Sequence, residues 1–184
     1  MGKKILAAAL LLMTAALLAR AERKSKEPLR VVGSIELARY AGLWYEVARL
    51  PNRFEEKCAG DVTAEYTLRG DGRLTVVNRC RKTDGRTTAA EGVARVRDKR
   101  GPNSRLKVRF APSFLSFLPF VWGDYQIIEL APDYTHAVVG DPGRNYLWIL
   151  SRAPRMDAET YRRLVESARA QGFDVSRLIL TPHG

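Results

Sequence analysis

The side chains best able to do chemistry in this sequence of 184 residues are few and widely spaced. His136 and His183 are the only two histidines, and His183 is next to the last residue, so a histidine-based metal site is not expected. The carboxylates lie mostly at outward-facing or turn positions, where solvation is their ordinary role. No Gly-x-Ser-x-Gly, P-loop or Gly-x-Gly-x-x-Gly motif occurs. The sequence therefore predicts no catalytic residues, no metal ligands and no cofactor.

The start of the chain predicts export. Two lysines precede an apolar run over residues 5–19, which is too short to span a membrane comfortably, and Ala19-Arg20-Ala21 is a small-x-small cleavage site. We expect residues 1–21 to be a cleaved signal peptide, residues 22–33 a flexible arm and residues 34–184 one domain. An uncleaved membrane anchor is the alternative.

The chain is strongly basic, with a formal net charge of +11. Residues 1–21 carry three basic residues and no acidic one, so their removal leaves +8. A basic surface favours nucleic acid or anionic lipid. Because an exported protein rarely meets nucleic acid and no nucleic-acid-binding motif is present, we expect peripheral contact with an anionic membrane. A well-solvated basic surface without a partner is an equal alternative.

Alternating apolar and polar residues predict a series of β-strands. The first begins at Gly42, and the pattern is clearest in residues 62–69 and 73–80, which flank a hairpin turn at Gly70–Gly72. Further strands are expected at residues 91–97, 106–110, 125–130, 137–140 and 146–151. Eight strands with short connections and no crossover helices predict an all-β fold, an eight-stranded antiparallel up-and-down β-barrel with room for one small ligand.

Two helical segments and one short strand complete the prediction. A C-terminal α-helix should begin after Asp157 as N-cap, end at Gly172 and pack outside the barrel through Tyr161, Leu164, Val165 and Ala168. A single helical turn over residues 34–40, with Ser34 as cap, should close the base of the barrel. Residues 178–180 should form a last short strand or extended segment.

Gly42, Trp44 and Arg152 are expected to be structural. Gly42 makes a tight turn before the first strand, and the Trp44 indole would plug the base of the barrel. Arg152 ends the last long strand, where its guanidinium could stack on an indole and donate to backbone carbonyls.

Cys58 and Cys80 are expected to form a disulfide, because an even pair of cysteines is typical of exported chains. Both lie near the outer ends of the two strands joined by the Gly70–Gly72 turn. Simple hairpin register pairs Cys80 nearer Val62, so the bond requires the chain before Val62 to fold back.

Two segments of this chain resemble the lipocalin family. Residues 42–44 match its Gly-x-Trp motif, and Arg152 matches the arginine that closes its last barrel strand. The stretch GLWYEVARLPNRFE, the Tyr-Leu-Trp-Ile-Leu-Ser-Arg segment and the Gly172-Phe173-Asp174 ending are most similar to bacterial outer-membrane lipocalins and apolipoprotein-D-like lipocalins. The resemblance runs from about Leu37 to Leu180 and implies the lipocalin calyx as the fold.

The resemblance also implies a function. It implies an exported protein that binds one lipophilic ligand, a fatty acid, lysophospholipid or similar membrane lipid, for carriage, storage or scavenging in the cell envelope of a bacterium. The expected place is the periplasm or the outer-membrane periphery. The bacterial relatives are often lipoproteins with an acylated N-terminal cysteine, which this chain lacks, so no lipid anchor is expected. The alternatives are a lipocalin-fold enzyme and a protein-interaction module that uses the barrel mouth. We expect the protein to be a monomer or a homodimer.

We expect the ligand to contact inward-facing side chains of the strands and of the loop after the fifth strand: Glu46, Ala64, Tyr66, Leu68, Val76, Val108, Phe110, Phe114, Trp122, Tyr125, Ile127 and Trp148. Glu46 shares a face with Trp44, and a buried carboxylate must be paired, hydrogen-bonded or protonated. A tyrosine or arginine of the wall is expected to satisfy it. The alternative is that Glu46 orients a polar ligand head.

Residues 112–122 form an unusually apolar connection between the fifth and sixth strands. The segment has no charge, and its two prolines disfavour another strand. It is too short to span a bilayer. Part of it should line the cavity as a lid, and the rest should dock on an anionic membrane through Phe114, Leu115, Phe117, Leu118, Phe120, Val121 and Trp122. A homodimer contact is the alternative.

Overall fold

The computed structural model describes residues 27–184, which fold around one curled, antiparallel sheet. Its strands are β1 (Gly42–Arg49), β2 (Cys58–Leu68), β3 (Leu74–Lys82), β4 (Thr87–Val96), β5 (Arg105–Arg109), β6 (Gly123–Leu130), β7 (His136–Gly140), β8 (Leu147–Ser151) and β9 (Ile179–Leu180). The helices are α1 (Leu37–Tyr40) and α2 (Ala158–Ala170). Short 3-10 turns lie at Ser113–Leu115, Pro119–Val121 and Val175–Arg177.

The first strand closes the barrel. Residues 42–45 of β1 pair with β2, and residues 45–49 pair with β8, so the first eight strands form a continuous ring. Where β2 diverges from β1, β9 takes its place beside Ala48 and Arg49. The predicted eight-stranded antiparallel up-and-down barrel is therefore confirmed. Because β1 starts at the base, the β1–β2, β3–β4, β5–β6 and β7–β8 connections lie at the open mouth.

The barrel wall separates two apolar cores. The inner core fills the base of the barrel with Tyr40, Trp44, Tyr66, Leu74, Val76 and Ile127. The outer core lies between α2 and the wall and includes Ala48, Val138, Ile149, Leu164, Ala168 and Phe173. Asp157 caps α2 by accepting a hydrogen bond from the Thr160 amide at 2.8 Å, and the predicted stripe faces the barrel. The outside position of the helix is as expected. None of the helices in residues 27–184 is long and apolar enough to cross a membrane.

Arg152 and Trp44 close the base. The Arg152 guanidinium stacks on the Trp44 ring, 3.8 Å from its centroid, and donates to the carbonyls of Arg39, Ala41 and Leu43. The Trp44 indole in turn donates to the Tyr40 carbonyl at 2.8 Å. Each of these donors therefore has a partner inside the protein.

Two details of the base and the arm differ from expectation. Glu36, not Ser34, precedes α1, and no side chain caps that helix. The part of the predicted flexible arm that the structure describes is packed: Leu29 is buried in the outer core, and the Val32 amide donates to the Ile127 carbonyl at 3.0 Å. Apolar residues in the arm explain this, since they bury against the wall. The signal peptide prediction, residues 1–21, lies outside the described residues.

Cys58 and Cys80 form the predicted disulfide, with their Cα atoms 5.6 Å apart. The chain before Val62 does not fold back as expected. Instead, register shifts between Cys58 and Gly60 and between Gly60 and Thr63 slide β2 along β3. These irregularities bring Cys58 opposite the end of β3, within reach of Cys80.

Candidate ligand-binding site

The inner face of the barrel wall above the Trp44 plug is largely apolar. Ala64, Val76, Val108 and Ile127 project inward from four different strands, because alternation along each strand sends every second side chain inside. Higher up, the Phe110 ring lies over Gly92 of β4, where a Cβ atom would overlap it. The interior between the mouth and the base, the passage by which a ligand would enter, is therefore lined by apolar side chains.

Three tyrosines form the floor of this passage. The Tyr125 hydroxyl lies 2.6 Å from that of Tyr40 and 2.8 Å from that of Tyr66. Burial raises the pKa of all three phenols, that of Tyr66 to about 12. The floor is therefore polar but uncharged at neutral pH.

A charged network lies nearer the mouth. Arg49 Nη1 is 2.9 Å from Glu46 Oε1, and Arg49 Nε is 3.0 Å from Glu55 Oε2. The Thr181 hydroxyl donates to Glu46, and the Trp148 indole donates to Glu55 at 3.4 Å. One cation thus serves two carboxylates.

Burial and the negative charge of Glu55 raise the pKa of Glu46 to about 8, although Thr181 and Arg49 act in the opposite direction. The short contact with Arg49 would favour the ionised form, but the loss of water around a carboxylate that is only 2% exposed outweighs it. At neutral pH Glu46 is therefore mostly protonated.

The structure brings together most of the predicted contact residues. Those that face the interior are Glu46, Ala64, Tyr66, Val76, Val108, Tyr125, Ile127 and Trp148. Phe110 lines the mouth at the upper end of the same face. Two surface hollows, of about 490 and about 270 Å³, lie outside the barrel and share no residue with this set.

Three predicted contact residues lie elsewhere. Leu68 lies past Tyr66 toward the base and is 39% exposed. Trp122 lies on the outer surface, where the Arg95 guanidinium stacks 4.1 Å from its ring centroid, because Arg95 faces outward on β4. Phe114 points to solvent. Phe114 and Trp122 lie in a loop, where strand alternation cannot predict the direction of a side chain.

Three inward-facing polar residues were absent from the predicted contact set. Arg49 turns inward because the β1–β8 register shifts between Glu46 and Ala48. Glu55 reaches the interior from the β1–β2 loop. Asn78 lies opposite Ala64, and its Oδ1 is buried without a hydrogen-bond partner. The alternation along β3 already predicts that Asn78 faces inward, whereas no local pattern signals Arg49 or Glu55. Among residues 27–184, no group of three or more His, Cys, Asp or Glu side chains could hold a metal ion.

The β5–β6 loop presents three exposed phenylalanines at the mouth. Phe114, Phe117 and Phe120 are 73%, 77% and 80% exposed, whereas Leu115 and Leu118 are half-buried. The three rings are spaced three residues apart in a loop that contains two short 3-10 turns. The loop therefore does not fold inward as a lid, and its exposed face is aromatic.

A closed barrel with a plugged base, an apolar passage and an open mouth defines a class of small-molecule-binding barrel proteins. Residues 35–183 match the family model described as a lipocalin-like domain. This chain belongs to the lipocalin family.

Sequence and structure comparisons agree with this assignment. Temperature-induced lipocalin-1 of Arabidopsis thaliana is 44% identical over 158 residues, covering 85% of this chain and 84% of that protein. Outer membrane lipoprotein Blc of Escherichia coli (strain K12) is 41% identical over 150 residues, covering 81% and 80%. The structure of insecticyanin from the tobacco hornworm Manduca sexta superposes with a TM-score of 0.64 at 17% identity, covering 86% of each chain. That likeness supports the fold alone.

Proposed function

We propose that this protein holds one lipophilic molecule, a fatty acid or lysophospholipid, inside its barrel and carries, stores or scavenges it in the cell envelope. The observation that carries the proposal is the apolar lining of the barrel interior between the mouth and the tyrosine floor, to which Ala64, Val76 and Val108 contribute. Each buried methylene of an acyl chain contributes ~0.8 kcal/mol, reduced by the cost of ordering the ligand. The charged head would stay near Arg49 or at the mouth.

Ligand recovery and one substitution test this function. Protein purified from its native envelope should yield one acyl lipid per chain on solvent extraction and mass spectrometry. Val108→Asp should fold yet fail to bind a fluorescent acyl probe, because a carboxylate on the apolar wall is costly to desolvate. Val93→Asp, on the outward face of the neighbouring strand, is the matched control and should bind normally.

Two outcomes would contradict the assignment. If Val108→Asp folds and binds the probe as tightly as the parent, the cavity has been placed wrongly. If no lipid copurifies and the parent binds no probe, the carrier function fails, and a protein-interaction module using the mouth becomes the better explanation. That the chain is not an enzyme stays a prediction.

Export and location rest on residues 1–21 and on the Blc relative, whose name places it at an outer membrane. We propose the periplasm or the outer-membrane periphery. We predict no lipid anchor for this protein, whereas the name of that relative describes it as a lipoprotein. The intact mass of the mature protein decides: a chain that begins at Glu22 without acyl groups agrees with the proposal, and an acylated chain contradicts it.

The exposed face of the β5–β6 loop supports reversible docking on an anionic membrane. Phe114, Phe117 and Phe120 are the exposed rings of the loop, and Phe54 of the β1–β2 loop, 64% exposed, adds a fourth ring at the same end of the barrel. Aromatic side chains partition into the headgroup region, and the net positive charge of the chain favours anionic lipids. The mouth would then face the membrane that supplies the ligand.

Vesicle binding tests the docking proposal. Phe117→Ser/Phe120→Ser should reduce cosedimentation with phosphatidylglycerol vesicles at least tenfold while the mass by light scattering stays unchanged. Leu43→Ser, at an exposed apolar position at the base, is the matched control and should bind like the parent. Leu115 and Leu118 are unsuitable because they are half-buried. Docking is wrong if the parent does not bind vesicles or if the double substitution merely converts a dimer to a monomer.

A further inference from the structure

The tyrosine floor has one hydroxyl proton more than its own hydrogen bonds use. Each phenol donates one proton. Within the described residues, the hydroxyls of Tyr40, Tyr66 and Tyr125 make two hydrogen bonds, both inside the group. Two of the three hydroxyl protons therefore take part in these hydrogen bonds, and the third has no acceptor within the group. Tyr125 joins both bonds and is the least buried of the three.

Asn78 supplies a free acceptor on the wall. It projects inward from β3 between Ala64 of β2 and Ala90 of β4, both of which have small side chains. Its Oδ1 is buried without a hydrogen-bond partner. Val76 of β3 pairs with Tyr66 of β2, and Asn78 lies two residues further along β3. Asn78 is therefore about 7 Å nearer the mouth than Val76. A buried amide oxygen without a hydrogen bond destabilises the ligand-free barrel, and a hydrogen-bond donor on the ligand would remove that cost.

We infer that the preferred ligand is a hydroxylated acyl chain, whose neutral hydroxyl group lies inside the barrel at the level of Asn78 and the tyrosine floor. A hydroxyl both donates and accepts, so a hydroxyl between the two can donate to the Asn78 Oδ1 and accept the free proton of the floor. A plain acyl chain leaves both groups unpaired. This inference rests on the proposed lipid-binding function and specifies the chemical class within it.

A charged group is a poor fit at the same depth. Arg152 approaches the floor through the Tyr40 carbonyl, while its guanidinium stacks on the Trp44 ring. A carboxylate at the floor would lose its water without gaining a cation. The acid or phosphate end of the ligand therefore stays toward the mouth, and the buried polar group is neutral.

Competition binding tests the inference. A fluorescent acyl probe on the full mature chain is displaced by octadecanoic acid and by hydroxyoctadecanoic acids that differ in the position of the hydroxyl. At least one hydroxy acid should bind about tenfold more tightly than octadecanoic acid, equivalent to about 1.4 kcal/mol. A preference confined to a few neighbouring positions would show that fixed protein groups read the hydroxyl.

Substitutions assign the preference to these residues. Asn78→Leu and Tyr125→Phe should each reduce it at least threefold without weakening octadecanoic acid binding, and Tyr45→Phe, on the outward face of β1, should leave it unchanged. Asn78→Leu should fold, because the Asn78 Oδ1 makes no hydrogen bond that the substitution would break. Equal affinity for plain and hydroxylated acids, or an intact preference in both variants, overturns the inference while the carrier function stands. If neither acid displaces the probe, the carrier function itself fails.

Discussion

Arg49 Nη1 lies 2.9 Å from Glu46 Oε1 inside the barrel, a contact that exists because β1 is irregular at Val47. The pairing of β1 with β8 shifts register between Glu46 and Ala48, so the side chain three residues after Glu46 turns inward as well. Glu55 binds the same guanidinium from the β1–β2 loop. The first strand, the loop at the mouth and the C-terminal segment through Thr181 therefore meet at one buried group.

The raised pKa of Glu46 predicts a pH-dependent stability. The folded state holds the Glu46 proton up to about pH 8, whereas the unfolded chain releases it near pH 4.5. Between these values the folded state binds more protons, so the free energy of unfolding falls as pH rises, by at most about 1.4 kcal/mol per pH unit. Above pH 8 this contribution is constant.

Glu46→Gln should remove that slope. Urea unfolding of parent and variant between pH 5 and pH 9 should show the variant gaining stability relative to the parent as pH rises, with the difference levelling off near pH 8. Glu65→Gln, which alters an exposed pair with Arg79, should follow the parent. Parallel curves for the parent and Glu46→Gln would mean that Glu46 is ionised in its pair with Arg49.

Arg152→Lys should destabilise the fold although the charge is kept. A lysine cannot stack its head group on Trp44 and donate to the carbonyls of Arg39, Ala41 and Leu43 at once. We expect a loss of about 2–3 kcal/mol in the free energy of unfolding, measured by urea titration. Arg177→Lys, at an exposed position, should change it by less than about 0.5 kcal/mol. A near-neutral Arg152→Lys would mean that the plug depends on Trp44 alone.

Most of the fold could be predicted from local patterns. Alternation over residues 62–69 and 73–80 fixes which side chains face inward, and the Gly70–Gly72 turn sets their register. The cap at Asp157 and the stop at Gly172 are local signals as well, and the structure places α2 between them. Such features depend on neighbours in the chain, so sequence periodicity is enough to find them.

The site was harder to predict because it depends on departures from those patterns. The irregularity at Val47 turns Arg49 inward, and strict alternation would send it outward. Glu55 comes from a loop, and the outward direction of Trp122 follows from its contacts with Arg95 and Arg109. Register shifts and loop directions arise from tertiary contacts, which a single sequence does not display.

Loss of the Cys58–Cys80 disulfide should destabilise the protein by about 3 kcal/mol, since the bond closes a loop with a sequence separation of 22 residues. Urea unfolding of Cys58→Ser/Cys80→Ser against the parent, with both proteins also measured in reductant, gives the value. In reductant the two proteins should be equally stable. A parent that shows two free thiols when denatured without reductant would contradict the bond itself.

Gly140→Ala should loosen the contact between the C-terminal segment and the barrel. Gly140 lies on the outer face of β7, and a Cβ atom there would overlap the ring of Phe173, which is buried just after α2. We expect a loss of about 1–3 kcal/mol in the free energy of unfolding, because the ring must leave a packed position.

A double substitution tests whether the contact between Gly140 and Phe173 causes this loss of stability. Gly140→Ala/Phe173→Leu should be more stable than the sum of the two single changes predicts, because leucine leaves room for the added methyl group. Gly33→Ala, where a Cβ atom meets nothing within 4 Å, is the matched control and should change stability by less than about 0.5 kcal/mol. Strictly additive effects of Gly140→Ala and Phe173→Leu in urea titrations would show that the glycine is not required for the approach of the ring.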